Sequence, residues 1–230
     1  PHRKGGYLLH SEVVFNIGPV PVYNLTVTSW GVMLILTVLF YLGSRNLDKV
    51  PKGAQNVAEA IIEGLLGFFS GVLGEDRARK YTPVLATFFL FILLSNYSGL
   101  IPGAGVIPGF KPPTSDWNVT GGLALIVLFS THFFGIRAKG LAHFKHFLQP
   151  FPPFLPLNLL EEIARPLSLT LRLFGNIFAE ETILAFLLGM APFLVPVPLM
   201  ALSLLLAAIQ ALVFTILATS YIGSATEEHH

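Results

Sequence analysis

Cysteine is absent, which excludes disulfides, thiol nucleophiles and cysteine-ligated clusters. Charge is scarce: 12% of the 230 residues are Asp, Glu, Lys or Arg, against roughly 25% in an ordinary soluble domain. So few charges cannot dress a water-facing surface. The formal net charge is +1, and without clustered Lys and Arg there is no nucleic-acid face, so a nucleic-acid partner is excluded. What is present is apolar, 53% of the chain, and the charges are segregated away from it. Uncharged stretches run from Val13 to Ser44, Tyr81 to Phe110, Trp117 to Ile136 and Thr182 to Thr226. Each holds at least one bilayer span of about 20 residues, and the last has room for two.

The pattern predicts an all-α polytopic membrane protein, one domain over residues 1–230. Its five membrane helices fall at about 26–44, 81–101, 118–136, 166–190 and 197–222. Arg3 and Lys4 precede the first span, but Asn16, Pro19, Pro21 and Asn24 interrupt any signal-peptide core, so a retained span is expected rather than a cleavable leader. Between the first two spans, residues 54–73 set Val57, Ile61, Leu65, Phe69 and Leu73 at helical spacing. Gln55, Asn56, Glu59 and Glu63 share another face, so an interfacial amphipathic helix is expected. Prolines and glycines from Pro102 to Pro113, and again from Pro150 to Pro156, predict irregular connections, the second leading into a short segment from Asn158 to Arg165.

Lys and Arg set the orientation. Arg45, Lys49, Lys52, Arg77, Arg79 and Lys80 lie between the first two spans, and Arg137, Lys139 and Lys145 follow the third, whereas Lys111 stands alone after the second. The N-terminus is therefore expected outside and the C-terminus in the cytoplasm or its equivalent.

The fourth span carries Arg172 near its middle, where an arginine costs about 2.5 to 3.5 kcal/mol on insertion scales. Glu180 and Glu181 are poor partners: they lie roughly 12 to 13 Å further along the axis, with Glu181 about 180° and Glu180 about 80° round the helix. Other spans offer no Asp or Glu at depth, so the counter-charge must come from another subunit, from water or from lipid. Arg165, Ser168, Asn176 and Ala179 fall within about 40° of Arg172, forming a narrow, small-sided face that a partner helix can approach closely. Glu181 lies opposite, and Gln210 and Ser203 interrupt the apolar last span, suggesting a hydrated polar path. His132, His143 and His146 have no second ligand set at zinc spacing, so capping or interfacial roles are expected, with no metal site and no cofactor. Terminal Glu227 to His230 reads as a solvated tail.

The run Pro156-Leu-Asn-Leu-Leu-Glu-Glu-Ile-Ala-Arg-Pro-Leu-Ser-Leu-Thr-Leu-Arg-Leu-Phe-Gly-Asn, with Ile209-Gln210-Ala-Leu-Val-Phe and Tyr221-Ile-Gly, closely resembles subunit a of the rotary F-type ATP synthases. The closing Tyr-Ile-Gly-Ser and the acidic, His-terminated tail are most similar to the plastid and cyanobacterial branch and its bacterial relatives. The resemblance implies a non-catalytic stator subunit in a bacterial plasma or thylakoid membrane, held by peripheral-stalk b subunits against a rotating c-subunit ring. Two offset half-channels would carry protons to and from the ring carboxylates. Arg172 would be the essential arginine, Asn176 and Glu181 would lie near the outer half-channel, and Gln210 would face the arginine from the last helix. Some members have histidine where Ser203 stands and glycine where Glu180 stands, so Glu180 joins Glu181 as a second ionisable group. The fourth and fifth spans of the family are long and tilted. Rival readings are another multi-pass ion or solute transporter subunit, a haem or quinone subunit wanting paired histidines within spans, and an intramembrane protease wanting a nucleophile and base at matched depth.

Overall fold

Long helices make up most of the chain in the computed structural model, which describes residues 13–45, 52–100, 112–140, 143, 152–190 and 196–227. They are α1 (Asn24–Ser44), α2 (Ala54–Leu73), α3 (Glu75–Ser98), α4 (Trp117–Lys139), α5 (Leu155–Met190) and α6 (Pro196–Thr226). Length and apolar composition suit α1, the Gln55–Leu73 part of α2, α3, α4 and the Pro198–Thr226 part of α6 to crossing a membrane. By that measure α2 is long enough to cross, although its polar residues keep to one side. α5, which carries Glu161, Glu162, Arg165, Arg172, Glu180 and Glu181, packs beside α4 and α6 in the same bundle. Lys49, Lys111, Lys145, His146, the loop at 101–111 and the last three residues lie outside the described residues.

Local chemistry sets several boundaries. The Asp116 side chain caps α4 by accepting the Asn118 N–H at 2.7 Å, and Gly140, at φ +61°, ends the helix by donating to the Ile136 carbonyl. Gly74, at φ +80°, lets the chain turn from α2 directly into α3, whose first turn carries Glu75 and Asp76 at the positive end of its dipole.

Two features depart from the sequence expectation. A small antiparallel hairpin, β1 (Val13–Ile17) and β2 (Val20–Tyr23), precedes α1. Its loop is Gly18-Pro19, with Gly18 at φ +61°, the conformation that glycine supplies freely in a two-residue hairpin loop. The segment Asn158 to Arg165 is also not separate: it is the beginning of α5, which runs through Pro166 without a break. At 36 residues α5 is about 54 Å long, and α6, at 31, about 46 Å. Both exceed the roughly 30 Å hydrocarbon layer, so they fit it by tilting or by emerging from it.

The core is built around α6. Ser203, Ala207, Ala211, Thr215 and Thr219, all buried, recur every fourth residue and give that helix a small-sided stripe. Against it pack Tyr81, Leu85 and Ile92 of α3, Phe69 and Leu73 of α2, and Leu169, Leu173 and Ile177 of α5. Gly223 continues the close approach, since a Cβ there would stand 2.9 Å from Leu73 Cδ2. The threonines do not strand their hydroxyls: Thr215 and Thr219 donate to the Ala211 and Thr215 carbonyls at 2.8 and 2.7 Å. On α1, by contrast, Trp30, Leu34, Ile35 and Tyr41 are exposed, an apolar surface suited to lipid.

Candidate functional site

α5 has two unlike faces. Leu169, Leu173 and Ile177, spaced four apart, are buried against the bundle. Ser168, Arg172, Asn176 and Ala179 are exposed on a neighbouring face about 100° round the helix, grouped as the helical wheel predicts. Among the described residues Arg172 makes no hydrogen bond or ion pair. Arg165, two turns earlier, is partly exposed but paired: it meets Glu161 at 2.8 Å and Glu162 at 3.5 Å, and its guanidinium lies 5.3 Å from the Tyr221 ring centre.

Polar groups gather between α5 and α6 beside Arg172. Asn176 Nδ2 donates to Gln210 Oε1 at 2.6 Å, tying the helices together one turn beyond the arginine. Gln210 is 6% exposed, and its amide nitrogen finds no hydrogen-bond partner among the described residues. An unpaired buried donor is costly, so it marks a place suited to water or to an incoming group. It borders a cleft of about 360 Å³ that Asn176, Glu180 and Ser203 also line, with Ile183 and Leu202 among its apolar walls. Ser203 faces the Glu180 carboxylate across this cleft. The cleft has room for several waters and polar groups to hold them.

Glu181 does not line that cleft. One residue on, it turns by about 100° and lines a smaller cavity of about 20 Å³ with Asn96, Gly99 and Pro112. Glu180 borders both spaces, as does Ile177. Asn96 is buried, donates to the Ala207 carbonyl at 3.3 Å and accepts the Thr114 hydroxyl at 2.7 Å. Sequence reasoning passed over Asn96 and Thr114, although an Asn inside the uncharged run Tyr81 to Phe110 was the available signal.

Structure thus brings Asn176, Gln210 and Glu180 together around one cleft, with Glu181 on its far side and Arg172 on the exposed face alongside. At the opposite end of α5, His132 is in contact with His143 on one side and with the Glu162 carboxylate on the other.

The sequence model of the ATP synthase A chain family matches residues 26–223. "ATP synthase subunit a" of Moorella thermoacetica is 42% identical over 217 residues, covering 94% of this chain and 96% of that protein. "ATP synthase subunit a" of the species Gloeobacter violaceus is 43% identical over 222 residues, covering 95% and 90%. Matches of this extent favour the rotary-synthase resemblance over a solute transporter, a haem or quinone subunit, or an intramembrane protease.

Proposed function

Because the chain belongs to the ATP synthase A chain family, we propose that it is the stator wall of an ion path, its Arg172 face held against a rotating ring of c subunits. It is an integral membrane component of a multi-subunit complex that serves ATP synthesis, and peripheral-stalk b subunits hold it static. Nucleotide chemistry falls to other subunits. Arg172, exposed and without a partner among the described residues, carries this reading: a fixed cation at membrane depth needs a counter-charge, and a ring carboxylate supplies one.

The remaining groups follow in order. Protons entering from outside pass Asn96 and Thr114 to Glu181, then Glu180, and reach the water-holding cleft bounded by Ser203, Gln210 and Asn176. There they neutralise a ring carboxylate, which can then turn into the lipid. A carboxylate completing its circuit meets Arg172, whose guanidinium favours the ionised form and so drives proton release into the inner half-channel. Arg172 stays charged at physiological pH, so it does not relay protons itself; it repels any cation trying to pass straight through. The Lys- and Arg-rich ends face the cytoplasm or stroma, in a bacterial plasma membrane or a thylakoid.

Single cysteines, convenient in a chain without any, test the reading. Cysteines at Ser168 or Asn176 should cross-link to a ring helix in the assembled complex, and one at the buried Leu173 should not. Labelling should reach Lys80→Cys and Glu228→Cys from the inside and Lys111→Cys from the outside. Cross-linking at Leu173 alone, or Lys80 labelled from outside, would contradict the docking face or the orientation respectively.

A further inference from the structure

Where α4 ends and α5 begins, three protonatable side chains stand in a row. His132 Nδ1 lies 3.1 Å from His143 Nε2, and its other ring nitrogen, Nε2, lies 3.2 Å from the Glu162 carboxylate. The middle imidazole thus touches one neighbour through each nitrogen. His143 is 7% exposed, and its ring fills a notch over Gly135, three residues from His132. A Cβ at Gly135 would stand 2.5 Å from His143 Cε1 and 2.6 Å from Nδ1, so only glycine leaves the ring its seat. A cavity of about 30 Å³ adjoins all three groups, and a second, of about 10 Å³, runs from Glu162 past Pro166 to Leu169, one turn short of Arg172.

Resting on the half-channel reading above, we propose that His143, His132 and Glu162 form a proton relay at the inner mouth of the path. The charged and titratable groups around the row, among the described residues, are Lys139 on α4, Glu161 and Arg165 on α5, and Tyr221 on α6. Imidazole can accept at one nitrogen while donating from the other. A proton taken up by His143 makes it cationic; its Nε2 proton crosses to His132 Nδ1, and His132 passes its own Nε2 proton to Glu162. One proton has then moved, both imidazoles are neutral again with tautomers exchanged, and water in the adjoining cavity resets them. Histidine suits this work because its charge changes within the physiological pH range.

The test uses vesicles carrying the whole complex, with ATP-driven proton uptake followed while the pH of each compartment is varied separately. His143→Gln and His132→Gln should pump almost normally at an inner-side pH of about 6.5, where protons are plentiful, and lose roughly fivefold near pH 8.5, where the relay collects them. Free imidazole added on the inner side should restore the rate. Gly135→Ala keeps all three protonatable side chains but unseats His143, and should reproduce the His143→Gln profile, so the proposal does not depend on one variant assembling. A mutant-to-parent ratio flat across inner-side pH, without imidazole rescue, would reduce the cluster to packing and overturn the relay. Sensitivity to outer-side pH instead would overturn its assignment to the inner mouth. Failure of the underlying half-channel reading shows separately, as coupled synthesis surviving in Arg172→Ala with the histidines intact.

Discussion

Arg165 and Arg172 stand two turns apart on the same face of one helix, and their surroundings are opposite. Arg165 has two glutamates within 3.5 Å and the Tyr221 ring beside it. Arg172 is exposed and has none of these among the described residues. A side chain whose partners lie in its own chain is explained by the fold. One whose partners are missing, at a depth where bare charge is costly, is explained by something that arrives from outside. Which arginine pairs within the subunit and which does not therefore separates scaffold from working part.

Charge-conserving substitution is the sharpest way to break that comparison. Arg172→Lys keeps the sign but loses the planar fork and introduces a titratable amine, so coupled ATP synthesis should be abolished while the subunit still assembles. A smaller effect is expected at the carboxylates. Glu181→Gln should slow synthesis on the order of 100-fold, the lower end of what a positioned proton carrier contributes, with the subunit retained in the complex. Glu180→Gln should be milder, about threefold, since Glu181 still reaches the space that Glu180 borders. Full transport in the double variant would remove both from the path. The smallest effect belongs to Arg165→Lys: partly exposed ion pairs contribute about 0.2 to 1 kcal/mol each, so thermal stability of the purified complex should fall slightly while synthesis stays within about twofold. Equal losses in Arg165→Lys and Arg172→Lys would dissolve the distinction.

Much of this was legible in sequence because the bilayer imposes a simple rule: uncharged runs become helices. The α2 boundaries agree with its apolar periodicity, and α1, α4 and α6 begin and end within a few residues of the spans expected at about 26–44, 118–136 and 197–222. That Arg172 has no partner among the described residues followed from helical geometry, which turns Glu180 and Glu181 away, and from the lack of Asp or Glu at depth in the other spans. Other features depended on contacts between segments remote in sequence. Pro166 reads as a helix start, but packing of Leu169 and Leu173 against the bundle carries α5 straight through it. Asn16, Pro19 and Pro21 interrupt an apolar run and yet form a hairpin, because Gly18 supplies the positive φ its loop requires. Asn96 with Thr114, and His132 with His143, are pairs whose members look unremarkable until the fold brings them within hydrogen-bonding distance. Separation of Glu180 from Glu181 into two spaces was partly foreseeable from their 100° offset; that Glu180 borders both required the position of α6.

Passive ion flux through Arg172→Ala is the most direct test of the central idea, that this charge keeps two half-channels from joining. Vesicles carrying the assembled membrane sector, with an imposed gradient and no nucleotide, should leak faster than those carrying the parent protein, and ATP synthesis in the whole complex should be abolished. Intact assembly with normal synthesis and no added leak would contradict the account, because the gate would then have been removed without consequence.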